Sequence, residues 1–316
     1  MKRRPLGRTG IDVAPLAFGG NVFGWTVDEP TAFLLLDAFV DHGFNLIDTA
    51  DVYSKWAPGN SGGESESVIG RWLERSGKRD RVVIATKVGL EMPGRGKGLC
   101  ARRIREACEA SLERLRTERI DLYQAHVEDP ETPIEETLEA FDRLVREGKV
   151  RAVGASNYSA PALSAALEAA AKRGFASYAT LQPGYNLYTR SEFEGDLMAL
   201  CVREGLGVIP YSGLASGFLT GKYRSEADLA QSPRGARAVK KYLDERGFRI
   251  LEALDEVGRR LRAKPAQVAL AWLMSRPAVS APIASATTLA QLRELMAAAD
   301  LALDAPALQR LDRAGA

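Results

Sequence analysis

The sequence alternates between short apolar runs and longer amphipathic segments, and this alternation restricts the possible folds more than any other feature. The apolar runs are continuous, as expected for parallel strands buried on both faces. Eight runs are predicted as strands: Leu16–Phe18, Asn45–Ile47, Val82–Thr86, Leu122–Ala125, Val150–Ala155, Thr180–Gln182, Val208–Tyr211 and Ala281–Ala284. The segments between them have helical spacing, and several end at a glycine that can stop a helix. This pattern predicts an α/β fold, a (β/α)8 TIM barrel.

Three further features refine that prediction. Arg3–Leu6 and Ile11–Val13 are predicted as an N-terminal β-hairpin, and Gly213–Glu245 as a long loop after strand seven, typical of a functional lid. No linker divides the chain, so residues 1–316 are expected to form one domain. A doubly wound fold would need a GxGxxG turn after strand one, but the glycines of Gly19–Gly24 have another spacing.

Composition excludes several classes of protein. With 43 Lys+Arg against 41 Asp+Glu, the net charge of +2 argues against a dedicated nucleic-acid binder. The three cysteines form no CxxC pair, which predicts reduced thiols in a cytoplasmic protein. We expect no signal peptide and no membrane span, because no apolar run approaches the roughly 18 residues that crossing a bilayer needs.

Four chemically distinct side chains follow three consecutive predicted strands. Strand two leads to Asp48 and Tyr53, strand three ends at Lys87, and strand four ends at His126. Each alone has an ordinary explanation as a turn, packing or solvated residue. The other histidine, His42, precedes a glycine at a helix end, where it is well explained as a cap. In a barrel, however, adjacent strand ends meet at one rim, where barrel enzymes carry their active sites.

The chemistry of these four groups is complementary. A tyrosine has a reference pKa of about 10, which a neighbouring ammonium such as Lys87 is expected to lower. Asp48 can hold that ammonium in place, and His126 can donate a hydrogen bond to a carbonyl oxygen. We therefore predict protonation of an oxygen while a cofactor delivers hydride to the carbon. A metal-dependent hydrolase is disfavoured, because the two histidines lie far apart and no metal site is predicted.

Several longer motifs resemble those of the aldo-keto reductase family along the whole chain. They are PLGRTG near the start, DTADVYS, ATK, YQAH and the late string PYSGLASGFLTGKY. The resemblance implies a (β/α)8 barrel that binds NADPH without a Rossmann fold. Matched position by position, it implies a catalytic set of Asp48, Tyr53, Lys87 and His126, with Tyr53 as general acid in reduction and base in oxidation.

The same resemblance implies a cofactor-binding track along the remaining strand ends. Ser156, Asn157 and Gln182 match the groups that hold the carboxamide, and Tyr211 matches the ring on which the nicotinamide stacks. The glycine-rich loop offers backbone amides for a pyrophosphate, with Lys222 for charge. The further predicted cofactor contacts are Gly20, Asn21, Ser212, Gly213, Leu214, Ser216, Gly217, Leu219, Gly221, Ser285, Ala286, Thr287, Thr288 and Gln291.

The last strand end departs from the family pattern. Many members carry an arginine or lysine there that binds the 2′-phosphate of NADPH, whereas this chain has Ser285-Ala286-Thr287-Thr288. Hydroxyls and helix N-terminal amides can also bind phosphate. NADPH is the predicted cofactor, and NADH is the alternative.

The leading functional hypothesis is an NADPH-dependent reductase of small-molecule aldehydes or ketones. Phe23, Trp25 and Trp56 are predicted to form an apolar substrate wall. The alternative is a slow, redox-sensing or regulatory subunit of the same fold, like the potassium-channel β subunits. The enzyme is favoured, because we expect no appended terminal segment. The oligomeric state stays open, and a monomer is compatible with the sequence.

Overall fold

The computed structural model describes residues 1–231 and 238–316, so residues 232–237 of the predicted long loop lie outside the described residues. A short antiparallel hairpin pairs β1 (Arg4–Pro5) with β2 (Asp12–Val13). Within the described ranges, eight parallel strands then form one sheet: β3 (Ala17–Gly19), β4 (Leu46–Asp48), β5 (Val83–Val88), β6 (Ile120–Ala125), β7 (Val150–Ser156), β8 (Thr180–Gln182), β9 (Gly207–Val208) and β10 (Ile283–Ala284). The predicted hairpin and all eight predicted barrel strands are therefore confirmed.

The sheet closes into a barrel between its first and last strands. Its order runs from β10 through β3 to β9. The two edges are joined by backbone hydrogen bonds from Ser280 N to Val208 O, at 2.8 Å, and from Ile283 N to Pro210 O, at 2.9 Å. Both edge strands are shorter than predicted, because Pro210 and Pro282 lie in the predicted runs and have no N–H to contribute to a ladder.

Ten α-helices in the described ranges surround the sheet. They are α1 (Glu29–Asp41), α2 (Glu64–Ser76), α3 (Ala101–Leu115), α4 (Ile134–Arg146), α5 (Ala160–Arg173), α6 (Asp196–Arg203), α7 (Glu245–Leu261), α8 (Pro265–Met274), α9 (Leu289–Met296) and α10 (Ala305–Gly315). Helix α7 is additional to the predicted barrel helices and follows the long loop, where Asp244 caps it by accepting from Gly247 N at 2.7 Å. None of the described helices has the length and apolar character that would let it span a membrane.

The hairpin closes the end of the barrel opposite the strand ends that carry the predicted site. Leu6 and Val13 pack with interior residues such as Leu46 and Leu122 in one buried apolar cluster. Gly7 allows this close packing, because a Cβ there would lie 2.1 Å from the carbonyl oxygen of Ala179. The interior is therefore filled with side chains, and the carboxyl ends of the strands form the accessible rim.

Candidate active site

Asp48 and Lys87 form a buried ion pair at the ends of β4 and β5. Both side chains are almost fully buried, and the Lys87 Nζ lies 2.8 Å from Asp48 Oδ1 and 2.9 Å from Oδ2. The ammonium also donates to the backbone oxygen of Thr49 at 2.7 Å. Gln182 Nε2, from β8 across the barrel, donates to Asp48 Oδ1 at 2.8 Å. The carboxylate is therefore fixed from two sides.

Tyr53 reaches this ion pair from the turn that follows β4. Its backbone N–H donates to the oxygen of Ala50 at 3.1 Å, which closes the turn. The phenolic oxygen accepts from Lys87 Nζ at 3.0 Å and donates to Asp48 Oδ2 at 3.2 Å. Three of the four predicted catalytic side chains therefore form one hydrogen-bonded group.

His126 lies beside the ring of Tyr53. Its backbone N–H continues the ladder by donating to Val88 O at 2.8 Å, and its ring meets that of Tyr53 edge to face, with centroids 6.1 Å apart. Its Nδ1 is buried and has no hydrogen-bond partner among the described residues. The structure thus brings the imidazole beside the phenol without bonding it to the Asp48–Lys87 pair.

The protonation states follow mainly from burial. Burial, and then the nearby cations Lys87 and Lys55, hold the pKa of His126 well below its usual range, so its imidazole is neutral. Burial lowers the pKa of Lys87, although Asp48 opposes that change. Burial first, and the Asp48 carboxylate second, raise the pKa of Tyr53. The lowered phenol pKa expected from the sequence is therefore not found, because desolvation and Asp48 outweigh the ammonium.

A second buried cluster of charges lies behind the rim, and sequence reasoning missed it. Asp51 pairs with Arg103 at 2.9 Å, and Glu66 accepts from Arg114 at 2.7 Å and from the hydroxyl of Thr86 at 2.5 Å. Burial, followed by the Glu66 charge, raises the pKa of Asp51 to about 7. The one sequence signal was an acidic residue inside DTADVYS, which could equally have been solvated.

Four of the predicted cofactor residues form a connected group on the far side of the barrel. Ser156 Oγ donates to the backbone oxygen of Gln182 at 2.9 Å, and Asn157 Nδ2 donates to that of His126 at 2.9 Å. Asn157 adopts φ +55°, in the left-handed region. The hydroxyl of Tyr211 donates to Asn157 Oδ1 at 2.8 Å.

The ring of Tyr211 is held in place but exposed. It packs on Gly184, where a Cβ would lie 3.1 Å from the phenolic oxygen, and it is 36% exposed. Most large aromatic side chains in the described ranges are buried. An anchored aromatic ring at the rim offers a surface on which a flat heterocycle can stack.

The loop that follows β9 carries backbone donors that have no acceptor among the described residues. The N–H groups of Gly213 and Leu214 bond to no acceptor within residues 1–231 and 238–316. Left-handed residues produce the tight path of this loop: Ser212, Ala215, Ser216, Gly217 and Gly221. Lys222 is exposed and has no ion pair with a described acidic residue, whereas Leu219 is buried, so only its backbone could contact a ligand.

The strand end after β10 is bonded to itself and to strand β3. Thr288 caps α9 by accepting from Gln291 N at 3.2 Å, while Gln291 Oε1 accepts from Thr287 N at 2.9 Å. Ser285 Oγ lies 2.7 Å from Asn21 Oδ1, next to the buried Gly20. Ala286 is buried, so its side chain faces no ligand.

The aromatic wall differs from the predicted one. Trp25 and Trp56 meet edge to face with centroids 5.8 Å apart, and Trp56 lies 5.9 Å from Tyr53. Phe23 instead is fully buried and stacks on Phe18, with centroids 5.2 Å apart. Its proximity to the rim in sequence was misleading, because the short 3-10 turn at Gly20–Val22 directs the chain back into the core. Phe23 therefore does not line the wall.

The fold and the site together define a class of protein. In the described residues, no group of three or more His, Cys, Asp or Glu side chains could hold a metal ion. The rim instead joins a phenol, an ammonium, a carboxylate and an imidazole at the open end of a (β/α)8 barrel. The chain belongs to the Aldo/keto reductase family, whose model matches residues 15–316.

Its relatives are similar over nearly their whole length. The chain is 39% identical to the uncharacterized oxidoreductase YrpG of Bacillus subtilis, covering 97% of this chain and 94% of that protein. It is 33% identical to the aldo-keto reductase YhdN of the same organism, over 93% and 88% of the two chains. It is also 34% identical to a probable voltage-gated potassium channel subunit beta of Arabidopsis thaliana, over 95% and 92%. The family and the first two names support an oxidoreductase.

Proposed function

We propose that the protein reduces the carbonyl group of aldehydes or ketones to an alcohol, with NADPH as the hydride donor and Tyr53 as the general acid. The observation that carries this proposal is the phenol of Tyr53, hydrogen-bonded to Lys87 at 3.0 Å and adjacent to a neutral His126. The three free cysteines, two of them buried, are compatible with action in the cytoplasm.

In this proposal Tyr53 transfers the proton, while Lys87, Asp48 and His126 stabilise charge and orient the reacting groups. Tyr53 gives its hydroxyl proton to the carbonyl oxygen as the carbon is reduced, and its raised pKa keeps that proton in place at neutral pH. The Lys87 ammonium stabilises the phenolate that remains, and Asp48 holds the ammonium. The neutral imidazole of His126 carries one N–H, which can donate to the same carbonyl oxygen and orient the substrate.

The far side of the rim fits a nicotinamide cofactor. Asn157, Ser156 and Gln182 supply amide and hydroxyl groups for a carboxamide, and the exposed ring of Tyr211 supplies a stacking surface. The unbonded N–H groups of Gly213 and Leu214, with Lys222 nearby, suit a pyrophosphate. When bound, the cofactor supplies the hydride that the protein's own groups cannot provide.

We propose NADPH and not NADH because the segment after β10 has hydrogen-bond donors for a 2′-phosphate. Thr287 and Thr288 carry hydroxyls at the N-terminus of α9, where the helix dipole favours an anion. Arg293, on the same helix, is an exposed cation.

A regulatory subunit is the second candidate, favoured by the similarity to the channel beta subunit of Arabidopsis thaliana. Such a protein would need a docking surface. The large exposed apolar side chains of the described helices instead lie on separate elements, Leu34 on α1, Val202 on α6 and Phe248 on α7. This distribution supports an enzyme acting on small molecules.

The test is a panel of aromatic and aliphatic carbonyl compounds assayed in parallel with NADPH and NADH. We expect cofactor oxidation with at least one aldehyde, at a higher kcat/KM with NADPH. A protein that binds NADPH but turns over none of the panel faster than the rate of cofactor loss alone would favour the regulatory subunit. A protein that binds neither cofactor would contradict both proposals.

A further inference from the structure

A basic cavity lies on the outer side of the rim, beside the first turns of α3, and the proposed reaction does not use it. Its volume is about 530 Å³. It is lined by three arginines, one glutamate and two glycines: Arg95, Arg102, Arg103, Glu106, Gly94 and Gly96. An excess of guanidinium groups in a concave site is typical of anion binding.

Arg103 is the buried member of this set. It is 6% exposed, and its Nη2 donates to Asp51 Oδ2 at 2.9 Å. Its Nε has no hydrogen-bond partner within the described part of the chain. Because buried polar groups are almost always bonded, this guanidinium has capacity for an acceptor that the described protein groups do not supply.

The exposed part of the cavity has further donors. Arg95 forms no ion pair with a described residue, and the nearest carboxylate to Arg102 is Glu106, at 3.9 Å. Gly94 and Gly96 adopt φ +72° and +73°; within residues 1–231 and 238–316 the Gly94 N–H donates to no acceptor, whereas Gly96 is paired with Met92 in an antiparallel bridge. Backbone in such alternating conformations commonly forms a concave set of donors for anions.

The local charges favour an anion even after the acidic groups are counted. Asp51 compensates Arg103 from the protein interior, and Glu106 lies opposite Arg102. Arg95 remains without a described counterion, whereas the N-terminus of α3 already has one, because Glu136 Oε1 accepts from Ala101 N at 2.9 Å. The positive charge available to an anion therefore comes from the arginine side chains and not from the helix dipole.

We infer that this cavity binds a tetrahedral oxyanion, either inorganic phosphate or the phosphate group of a phosphomonoester. Arg95 and Arg102 contact it from the solvent side, and Arg103 supplies the buried guanidinium. Arginine suits this task because its planar fork of N–H groups bonds two phosphate oxygens at once. The site is separate from the cofactor track and does not depend on the proposed reaction.

The test uses the full chain saturated with NADPH, so that phosphate cannot occupy the cofactor's own subsites. Inorganic phosphate and glycerol phosphate are titrated separately at constant ionic strength, with chloride as the control, by calorimetry and backbone amide NMR. We expect saturable binding of at least one, with amide shifts at Gly94, Gly96 and the first turn of α3. The anion that binds more tightly identifies the source of the phosphate group. Shifts confined to residues 212–222 would show that the cofactor site had not been filled and would overturn the assignment of a second site.

Exposed arginines are substituted, because Arg103→Gln would leave Asp51 buried without its partner. Arg95→Gln and Arg102→Gln should each weaken phosphate binding about tenfold, as expected for the loss of one charge-assisted hydrogen bond. Arg105→Gln, an exposed arginine on the same helix outside the cavity, should leave the affinity unchanged. Absence of saturable binding, or equal weakening by Arg105→Gln, would overturn the inference, since the latter indicates unspecific attraction to a basic surface.

Discussion

Two regions of the rim differ in how their side chains are held. Around Asp48 and Lys87, buried side chains from several strands bond to one another. After β10, more exposed side chains bond mainly within their own segment. The Asp48–Lys87 pair draws on three strands, because Gln182 also donates to Asp48. The hydroxyl of Thr288 and the side chain of Gln291 instead satisfy the first turn of one short helix. The first region is therefore rigid before a ligand binds. The second must exchange its own hydrogen bonds for those of a ligand.

Removing the phenolic hydroxyl tests the rigid region most directly. Tyr53→Phe should lower kcat by about two decades or more, because the general acid is lost while the ring remains. Cofactor affinity should be retained, as measured by fluorescence titration. Tyr123→Phe is the matched control, since its hydroxyl makes one weak contact, at 3.5 Å, away from the rim. A Tyr53→Phe protein with parental kcat would refute the assignment of the acid.

Removing the ammonium tests whether Lys87 acts on the phenol or merely positions it. Lys87→Met should slow turnover about tenfold or more, because the phenolate loses its counter-charge. Alcohol oxidation needs the phenolate, so its rate rises with pH through the pKa of Tyr53. In the variant this rise should move to higher pH. A slower enzyme with an unchanged profile would show that Lys87 only positions Tyr53. Asp48→Asn should have a milder effect, through misplacement of Lys87.

Adding a cation tests the strand end after β10, where Thr287, Thr288 and Gln291 bond to one another. Thr287→Arg should strengthen NADPH binding by about 1–2 kcal/mol, the usual contribution of a charge-assisted hydrogen bond, and leave NADH nearly unchanged. Both affinities are measured by titration, and NADPH binding by the parent should weaken as salt rises. Equal affinity for the two cofactors in the parent would contradict the proposed NADPH preference. No gain for NADPH in the variant would contradict the alignment of this strand end.

From the buried charge cluster of Asp51, Arg103, Glu66 and Arg114 we predict that the stability of the protein depends on pH. The pKa of Asp51 is raised to about 7 by burial, so the folded state holds its proton over a range where the unfolded chain has released it. The free energy of unfolding should therefore fall as pH rises from about 4 to about 7, by at most about 1.4 kcal/mol per pH unit. Asp51→Asn should remove this slope in urea titrations, despite a lower overall stability, whereas Asp12→Asn, at an exposed position, should retain it. An unchanged slope in Asp51→Asn would contradict the raised pKa.

The smallest expected effect concerns the support of Tyr211. Gly184→Ala places a Cβ 3.1 Å from the phenolic oxygen, so the ring must shift by a few tenths of an ångström. We expect a several-fold increase in the dissociation constant of the cofactor, on the order of 1 kcal/mol, with kcat less affected. Gly174→Ala, at the end of α5 where φ is +68°, is the control: it should lower stability without changing the affinity for the cofactor. Parental affinity in Gly184→Ala would show that the ring tolerates displacement.

The two regions also differ in how far the sequence could predict them. Strand ends determine where Asp48, Lys87 and His126 lie, so alternation alone was sufficient to bring them together. Phe23 was misplaced because its burial depends on a 3-10 turn that apolar periodicity does not reveal. The pairing of Asp51 with Arg103 could not be predicted, since Asp51 lies in a turn after β4, Arg103 lies on α3, and their contact depends on packing. The predicted lengths of β9 and β10 were too long. Pro210 and Pro282 interrupt the strands, but the apolar runs in the sequence continue through them.

The hairpin at the closed end of the barrel can complete its contacts only after later segments of the chain have been synthesised. Arg4 donates to the backbone oxygen of Met274 at 2.7 Å, and Ser280 donates to that of Pro5 at 2.8 Å, across 275 residues of chain. The hairpin is translated before the segments that hold it, which follow it by about 270 residues. A nascent chain can therefore form β4 to β7 and their helices while its barrel is still open at the base. Completion of the fold awaits release of the final strand, and contacts of such long sequence separation are slow to form.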